Sequence, residues 1–188
     1  MKVEEAAPII FVDKLPKGME VLLYSFSFTC GSKGKGIKKS RLRQSVRGIL
    51  QQDIPDEFLH SRSYCGNEVL QVISYDNAVG CDYENMDRFK GTSSFFTNDA
   101  ELNYIRNQRP GHDEHMLLSV IWGMKESLTK LLRIPLQVFL QSKTLRVETG
   151  RMSMTGLGCP VFVYTEIHGS NQIVITYCER ELFHVWHF

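Results

Sequence analysis

No two of the five cysteines, Cys30, Cys65, Cys81, Cys159 and Cys178, stand in a Cys-x-x-Cys spacing, and their number is odd. This excludes a zinc ribbon and argues against the disulfide frameworks that hold small secreted domains together, so a reducing compartment is expected. Long hydrophobic runs are missing too, since no stretch approaches the ~18 consecutive apolar residues that span a bilayer as a helix. Glu4 and Glu5 precede the short apolar run Ala6 to Val12, which has neither the basic start nor the long apolar centre of a secretion signal. Motifs of catalysis are equally scarce. Ile37 follows the glycines Gly31, Gly34 and Gly36, where an NTPase phosphate loop needs Lys and then Ser or Thr. There is no Gly-x-Ser-x-Gly elbow and no His-Glu-x-x-His zinc motif.

What is present is a globular composition. The 188 residues are 43% hydrophobic and 23% charged, enough to bury a self-sufficient core without staples. The expected organisation is an N-terminal segment over residues 1–19 and one α+β domain over 20–188, with a long loop excursion at about 77–110. A formal net charge of +1 conceals local asymmetry. Residues 31–52 carry seven basic side chains and no acid, whereas residues 76–87 carry Asp76, Asp82, Glu84 and Asp87 and no Lys or Arg.

Leu22, Tyr24, Phe26 and Phe28 alternate with smaller or polar residues at the period of a strand over 20–30. A helix begins near Ile37, with Leu42, Val46, Ile49 and Leu50 on one face, and ends by Asp53 and Pro55. Another strand is predicted over 68–75. The polar, glycine-punctuated stretch 77–110 reads as loop, with a short helix around 98–107. Pro110 and Pro135 bracket the clearest helix, 112–133, where Leu117, Val120, Ile121, Met124, Leu128, Leu131 and Leu132 form an apolar stripe. Strands are expected over 136–141, 144–148, 161–167, 173–179 and 182–188, the third and fourth joined as a hairpin through His168 to Asn171. Strands grouped with two main helices, instead of alternating with them, predict an α+β fold with a mostly antiparallel sheet. No internal repeat is visible in the residues.

The candidate binding residues are Lys33, Lys35, Lys38, Lys39, Arg41, Arg43 and Arg47, at a glycine-rich strand-to-helix junction where backbone N–H groups and cations favour an anion. RNA or DNA phosphate and anionic lipid are the expected counterparts, and a solvated charged face is the competing reading. No metal site or cofactor is predicted. His112 with His115 and His184 with His187 are spaced i, i+3 and lack a zinc signature, and Cys159, Ser153 and His168 would gain chemical meaning only by meeting in space.

The order of features, with an aromatic strand (Tyr24, Phe26, Phe28) leading into a basic helix and later strands ending in Trp186 and Phe188, resembles the matrix proteins of negative-strand RNA viruses, particularly the rhabdovirus-like kind. The resemblance implies a non-enzymatic, self-associating assembly protein that contacts nucleocapsid or RNA and an anionic membrane, takes no small-molecule substrate, and resides inside a host cell and in the virion. Two alternatives stand beside it: a cellular nucleic-acid-binding or adaptor module, and an enzyme whose site is assembled from scattered residues.

Overall fold

The computed structural model describes residues 2–5, 15–27, 39–51, 54–92, 95–140, 145–148, 151–154 and 161–181. Its elements run β1 (Lys2–Glu5), β2 (Met19–Ser27), α1 (Lys39–Gln51), β3 (Leu59–Cys65), β4 (Glu68–Ser74), β5 (Asn77–Asn85), a 3₁₀ turn (Met86–Phe89), α2 (Asp99–Gln108), α3 (Glu114–Leu132), a second 3₁₀ turn (Leu136–Phe139), β6 (Leu145–Glu148), β7 (Arg151–Met154), β8 (Val161–His168) and β9 (Asn171–Glu179). The α+β expectation holds, with antiparallel sheets and three helices.

The strands form two antiparallel sheets, ordered β1-β2-β4-β3 and β5-β9-β8-β7-β6. Because strand side chains alternate between faces, β2 and β4 turn Val21, Leu23, Leu70 and Val72 to one side. There they meet Val79, Cys81, Tyr83, Ile173 and Ile175 of the second sheet in a core between the sheets. The first sheet's other face carries Phe26 and Val69, which α1 covers with Val46 and Leu50. On the second sheet, α3 lays Leu117, Ile121, Met124 and Leu128 against a core that includes Ala78, Val161 and Val174.

A repeat that residue identity conceals is evident in topology. Strand β2, helix α1 and strands β3 and β4 pair in the order β2-β4-β3. Strand β5, helix α3 and strands β8 and β9 pair in the order β5-β9-β8.

Three sequence expectations are corrected. The excursion at 77–110 is instead β5, a 3₁₀ turn and α2, of which only the α2 region was anticipated. Strand β5 lacks hydrophobic alternation because its first seven residues are buried on both faces, one against the first sheet and the other against α3. The predicted strand at 136–141 is a 3₁₀ turn over Leu136–Phe139, begun by Pro135, whose fixed φ suits a helical first turn. Strand β3 was missed because Leu59-His60-Ser61-Arg62-Ser63-Tyr64-Cys65 is largely polar; its serines are spent on bonds to β5. The predicted strand at 182–188 lies outside the described residues.

Candidate active site

The second sheet and α3 approach one another through glycine. A Cβ on Gly80 would fall inside the van der Waals shell of the Ser127 carbonyl oxygen, and one on Gly123 would stand 2.6 Å from Val174 Cγ2. This contact brings one edge of α3 down onto β5. Gly123, Glu126, Ser127 and Lys130 share a helix face by their i, i+3, i+4, i+7 spacing, and Gly80, Asp82 and Glu84 share a strand face by their period of two. Close backbone approach therefore sets Glu126 and Lys130 beside the carboxylates of β5.

Strand β3 closes the other side. The Cys81 N–H donates to Ser61 Oγ at 3.0 Å, and Ser63 Oγ donates to Asp82 Oδ1 at 2.9 Å. Lys130 Nζ donates to the Cys81 carbonyl at 2.8 Å and to Ser63 Oγ and Asp82 Oδ1 at 3.2 Å each. Burial alone lowers the Lys130 ammonium, but Asp82, Cys81 and Glu126 outweigh it and hold its pKa above the ordinary lysine value. The other carboxylate oxygen of Asp82, Oδ2, is buried and has no hydrogen-bond partner. A buried, unpaired anionic oxygen is costly, so this atom is poised for a cation or a donor.

Glu126 carries a raised pKa: desolvation comes first, Lys130 opposes it, and Asp82 and Glu84 add like-charge repulsion. Glu84 accepts the Asn85 N–H at 3.0 Å and pairs with Arg88. Among the described residues no three His, Cys, Asp or Glu side chains form a ready-made metal cage. The Cys81 thiol, pushed up to about 11 by burial, remains neutral and unsuited to nucleophilic work.

Beside this carboxylate group opens a cleft of about 470 Å³ lined by Arg47, His60, Arg62, Tyr64, Lys130 and Arg133, among others. A second hollow, of about 310 Å³, shares His60, Lys130 and Arg133 with it. Arg62 is aimed by Gln71 Oε1 and by the Leu50 carbonyl at 3.0 Å. His60 is held below its ordinary pKa by burial and by Arg62, so at neutral pH the cleft's positive charge comes from its arginines and Lys130.

Of the sequence-predicted cations, Arg47 lines this cleft, and Arg43 is exposed with its guanidinium 5.4 Å from the centre of the Tyr64 ring. Lys39 and Arg41 lie in the first turn of α1. Lys33, Lys35 and Lys38 fall outside the described residues, as do Cys159, His184 and His187. The structure thus brings Arg47 to a site whose other members, Asp82, Glu84, Arg62, Glu126, Lys130 and Arg133, had not been singled out as functional. The signal for them was the pairing of a glycine with two acids at strand spacing (Gly80, Asp82, Glu84) and of a glycine with an acid and a base at helix spacing (Gly123, Glu126, Lys130).

The sequence model of the 4'-phosphopantetheinyl transferase superfamily matches residues 78–178, more than half of the chain and the span that contains β5, α3 and β9. The chain belongs to that superfamily. No curated protein matches it. Membership implies transfer of phosphopantetheine to carrier proteins, with coenzyme A as substrate. It overturns the non-enzymatic assembly reading, the resemblance to viral matrix proteins and the partner set of nucleocapsid, RNA and membrane; the alternative of an enzyme with a scattered site is the better supported. The physical reason is that Arg47 lines a concave cleft whose Lys130 bonds the buried carboxylate of Asp82, where the assembly reading required a plain basic surface. No helix among the described residues is long and apolar enough to cross a membrane.

Proposed function

We propose that this chain transfers the 4'-phosphopantetheinyl group of coenzyme A to a hydroxyl of a carrier protein, at the seam between β5 and α3. The observation that carries the reading is the buried, unpartnered Oδ2 of Asp82, with Glu126 electrostatically coupled to it and Lys130 bonding it to an arginine-lined cleft, inside the span that matches the superfamily.

Coenzyme A is a nucleotide diphosphate with a further phosphate on its ribose, and such a polyanion suits the cleft. Arg47, Arg62 and Arg133 are assigned to its phosphates, with guanidinium groups matched to phosphate oxygens. Lys130, whose three ammonium protons go to Ser63, the Cys81 carbonyl and Asp82, adds positive charge to the cleft wall beside Asp82 without donating to the diphosphate. Carboxylates placed against a diphosphate would repel it unless a cation lay between them. A divalent ion of the Mg²⁺ type fits the donors, because it keeps several waters and needs only one or two carboxylates plus substrate oxygens, so a complete cage is unnecessary. Asp82 and Glu126 would hold it, with Glu84 in reserve, and it would supply charge neutralisation at the diphosphate.

The protein's own steps follow from phosphoryl-transfer chemistry. A carboxylate oxygen of Glu126 takes the proton of the acceptor hydroxyl. The freed oxygen forms a bond to the phosphorus that bears pantetheine, the phosphorus–oxygen bond to the nucleotide breaks, and adenosine 3',5'-bisphosphate leaves with that electron pair. The cleft arginines stabilise the departing charge.

The test is chromatographic: coenzyme A, Mg²⁺ and an unmodified carrier protein are incubated with the chain, and nucleotide release is followed. Release of adenosine 3',5'-bisphosphate that depends on the carrier protein is expected. Release at the same rate without a carrier, or none with a range of carriers, contradicts the proposal.

A further inference from the structure

Two charged side chains among the described residues have no exposed surface at all, Lys125 and Glu101, paired at 2.8 Å. Neither reaches the cleft. Lys125 Nζ also donates to the Phe96 carbonyl at 2.5 Å and to the Leu140 carbonyl at 3.5 Å. Glu101 accepts from Thr97 Oγ1 on one oxygen and from the Leu145 N–H, at 2.8 Å, on the other. The three ammonium protons and both carboxylate oxygens are therefore engaged, and the network ties α3 to α2, to the segment before α2, to the second 3₁₀ turn's exit and to the start of β6.

A buried ion pair is a poor source of stability, since well-packed apolar residues of similar volume do as well or better. What such a pair supplies is direction, and α3 needs it. Helices usually interlock through ridges and grooves of side chains. Here Gly80 meets the Ser127 backbone and Gly123 meets Val174 of β9, so this edge of α3 approaches closely without a side-chain ridge of its own, and the interlocking side chains Leu117, Ile121, Met124 and Leu128 belong to the helix's core face. Lys125 is the residue immediately before Glu126, and a few degrees of roll would swing Glu126 relative to Asp82.

We propose that Lys125 and Glu101 are a positioning pair: their buried network fixes the roll of α3 and so holds Glu126 and Lys130 in register with Asp82. The inference rests on the proposed transferase reading for its kinetic test and is independent of it for its binding test.

The variant K125M/E101Q removes both charges while leaving an acceptor for the Leu145 N–H. Its thermal midpoint is expected to match or exceed that of the wild type. Its kcat should fall about 10- to 100-fold, the scale of a misplacement of about 1 Å, with KM for coenzyme A within about twofold of the wild type because the cleft arginines are untouched. Affinity for Mn²⁺ alone should fall at least about fivefold, as expected when a positioning partner is lost beside ligating carboxylates. Should the double variant not fold, K125R keeps the charge with altered geometry and is expected to show the same split between kcat and KM. A folded variant with wild-type kcat and wild-type Mn²⁺ affinity overturns the positioning role, as does a drop in thermal midpoint that accounts for all lost activity. If the wild type transfers nothing, the transferase reading fails, and the Mn²⁺ comparison alone decides whether the pair positions Glu126.

Discussion

Asp82 has divided duties. One carboxylate oxygen is satisfied by Ser63 and Lys130, while the other is buried and unpaired. Replacing it with Asn keeps the shape and removes the charge, so D82N is expected to fold and to lose at least about 100-fold in kcat, as befits several kcal/mol of lost charge stabilisation. Steady-state kinetics at saturating coenzyme A would measure it, and a loss below about threefold would remove Asp82 from the site. Glu126 gives a prediction of opposite sign for stability and activity. Its folded pKa is raised, so the folded state favours the protonated form, and wild-type stability declines as pH rises through the interval between the ordinary glutamate value and the raised one. E126Q should therefore melt higher than the wild type at pH 7, with the advantage vanishing below about pH 4, the unperturbed glutamate range. Meanwhile kcat of E126Q should fall at least about 100-fold, since the amide neither takes the acceptor proton nor carries charge toward the ion. Calorimetry without added metal and steady-state kinetics check the two halves.

Among the elements, β5 and α3 make the site, and their legibility in the sequence differed for physical reasons. Helix α3 was plain because Leu117, Ile121, Met124, Leu128 and Leu131 recur at helical spacing and face one core. Its functional edge was hidden in the same stretch, since Glu126 and Lys130 look like ordinary solvated residues until β5 is placed beneath them. Strand β5 has no strand signal in its sequence because burial on both faces erases alternation, and because Gly80 and Asp82, which weaken a strand by propensity, serve the helix contact and the site. The basic segment is conspicuous by composition, and of its two cations whose side chains the structure describes, Arg47 lines the cleft and Arg43 is exposed over Tyr64. Arg62 was concealed in a polar strand, and Lys125 in a helix whose apolar stripe outweighs it: each large apolar side chain fully buried contributes about 1.5–3 kcal/mol, so several together offset one desolvated pair. The glycine contact carries its own prediction. Gly80→Ala places a methyl group against the Ser127 backbone, which cannot retreat as a side-chain tip can. A destabilisation of about 1–3 kcal/mol is expected, with loss of transfer in the protein that still folds, measured by denaturant titration and by activity per folded molecule. Wild-type behaviour on both counts would mean that α3 does not need its close approach to β5.

At the scale of the whole molecule, two β-α-β-β units of matching strand order are packed sheet to sheet, and the cleft opens where β3 of one meets β5 and α3 of the other. The first unit supplies Arg47, Arg62 and the serines that bridge to β5, while the second supplies Asp82, Glu84, Glu126 and Lys130. Neither unit alone carries both the cationic cleft and the carboxylates, so one charged segment of the sequence does not reveal the site. Transfer is tested by the intact mass of a carrier protein after incubation with coenzyme A, Mg²⁺ and this chain, with D82N as the parallel control. A single increment of one phosphopantetheinyl group on the carrier is expected with the wild type, and little or none with D82N over the same time. An unchanged carrier mass with folded wild-type protein, or equal modification by D82N, would contradict the proposed transfer at Asp82.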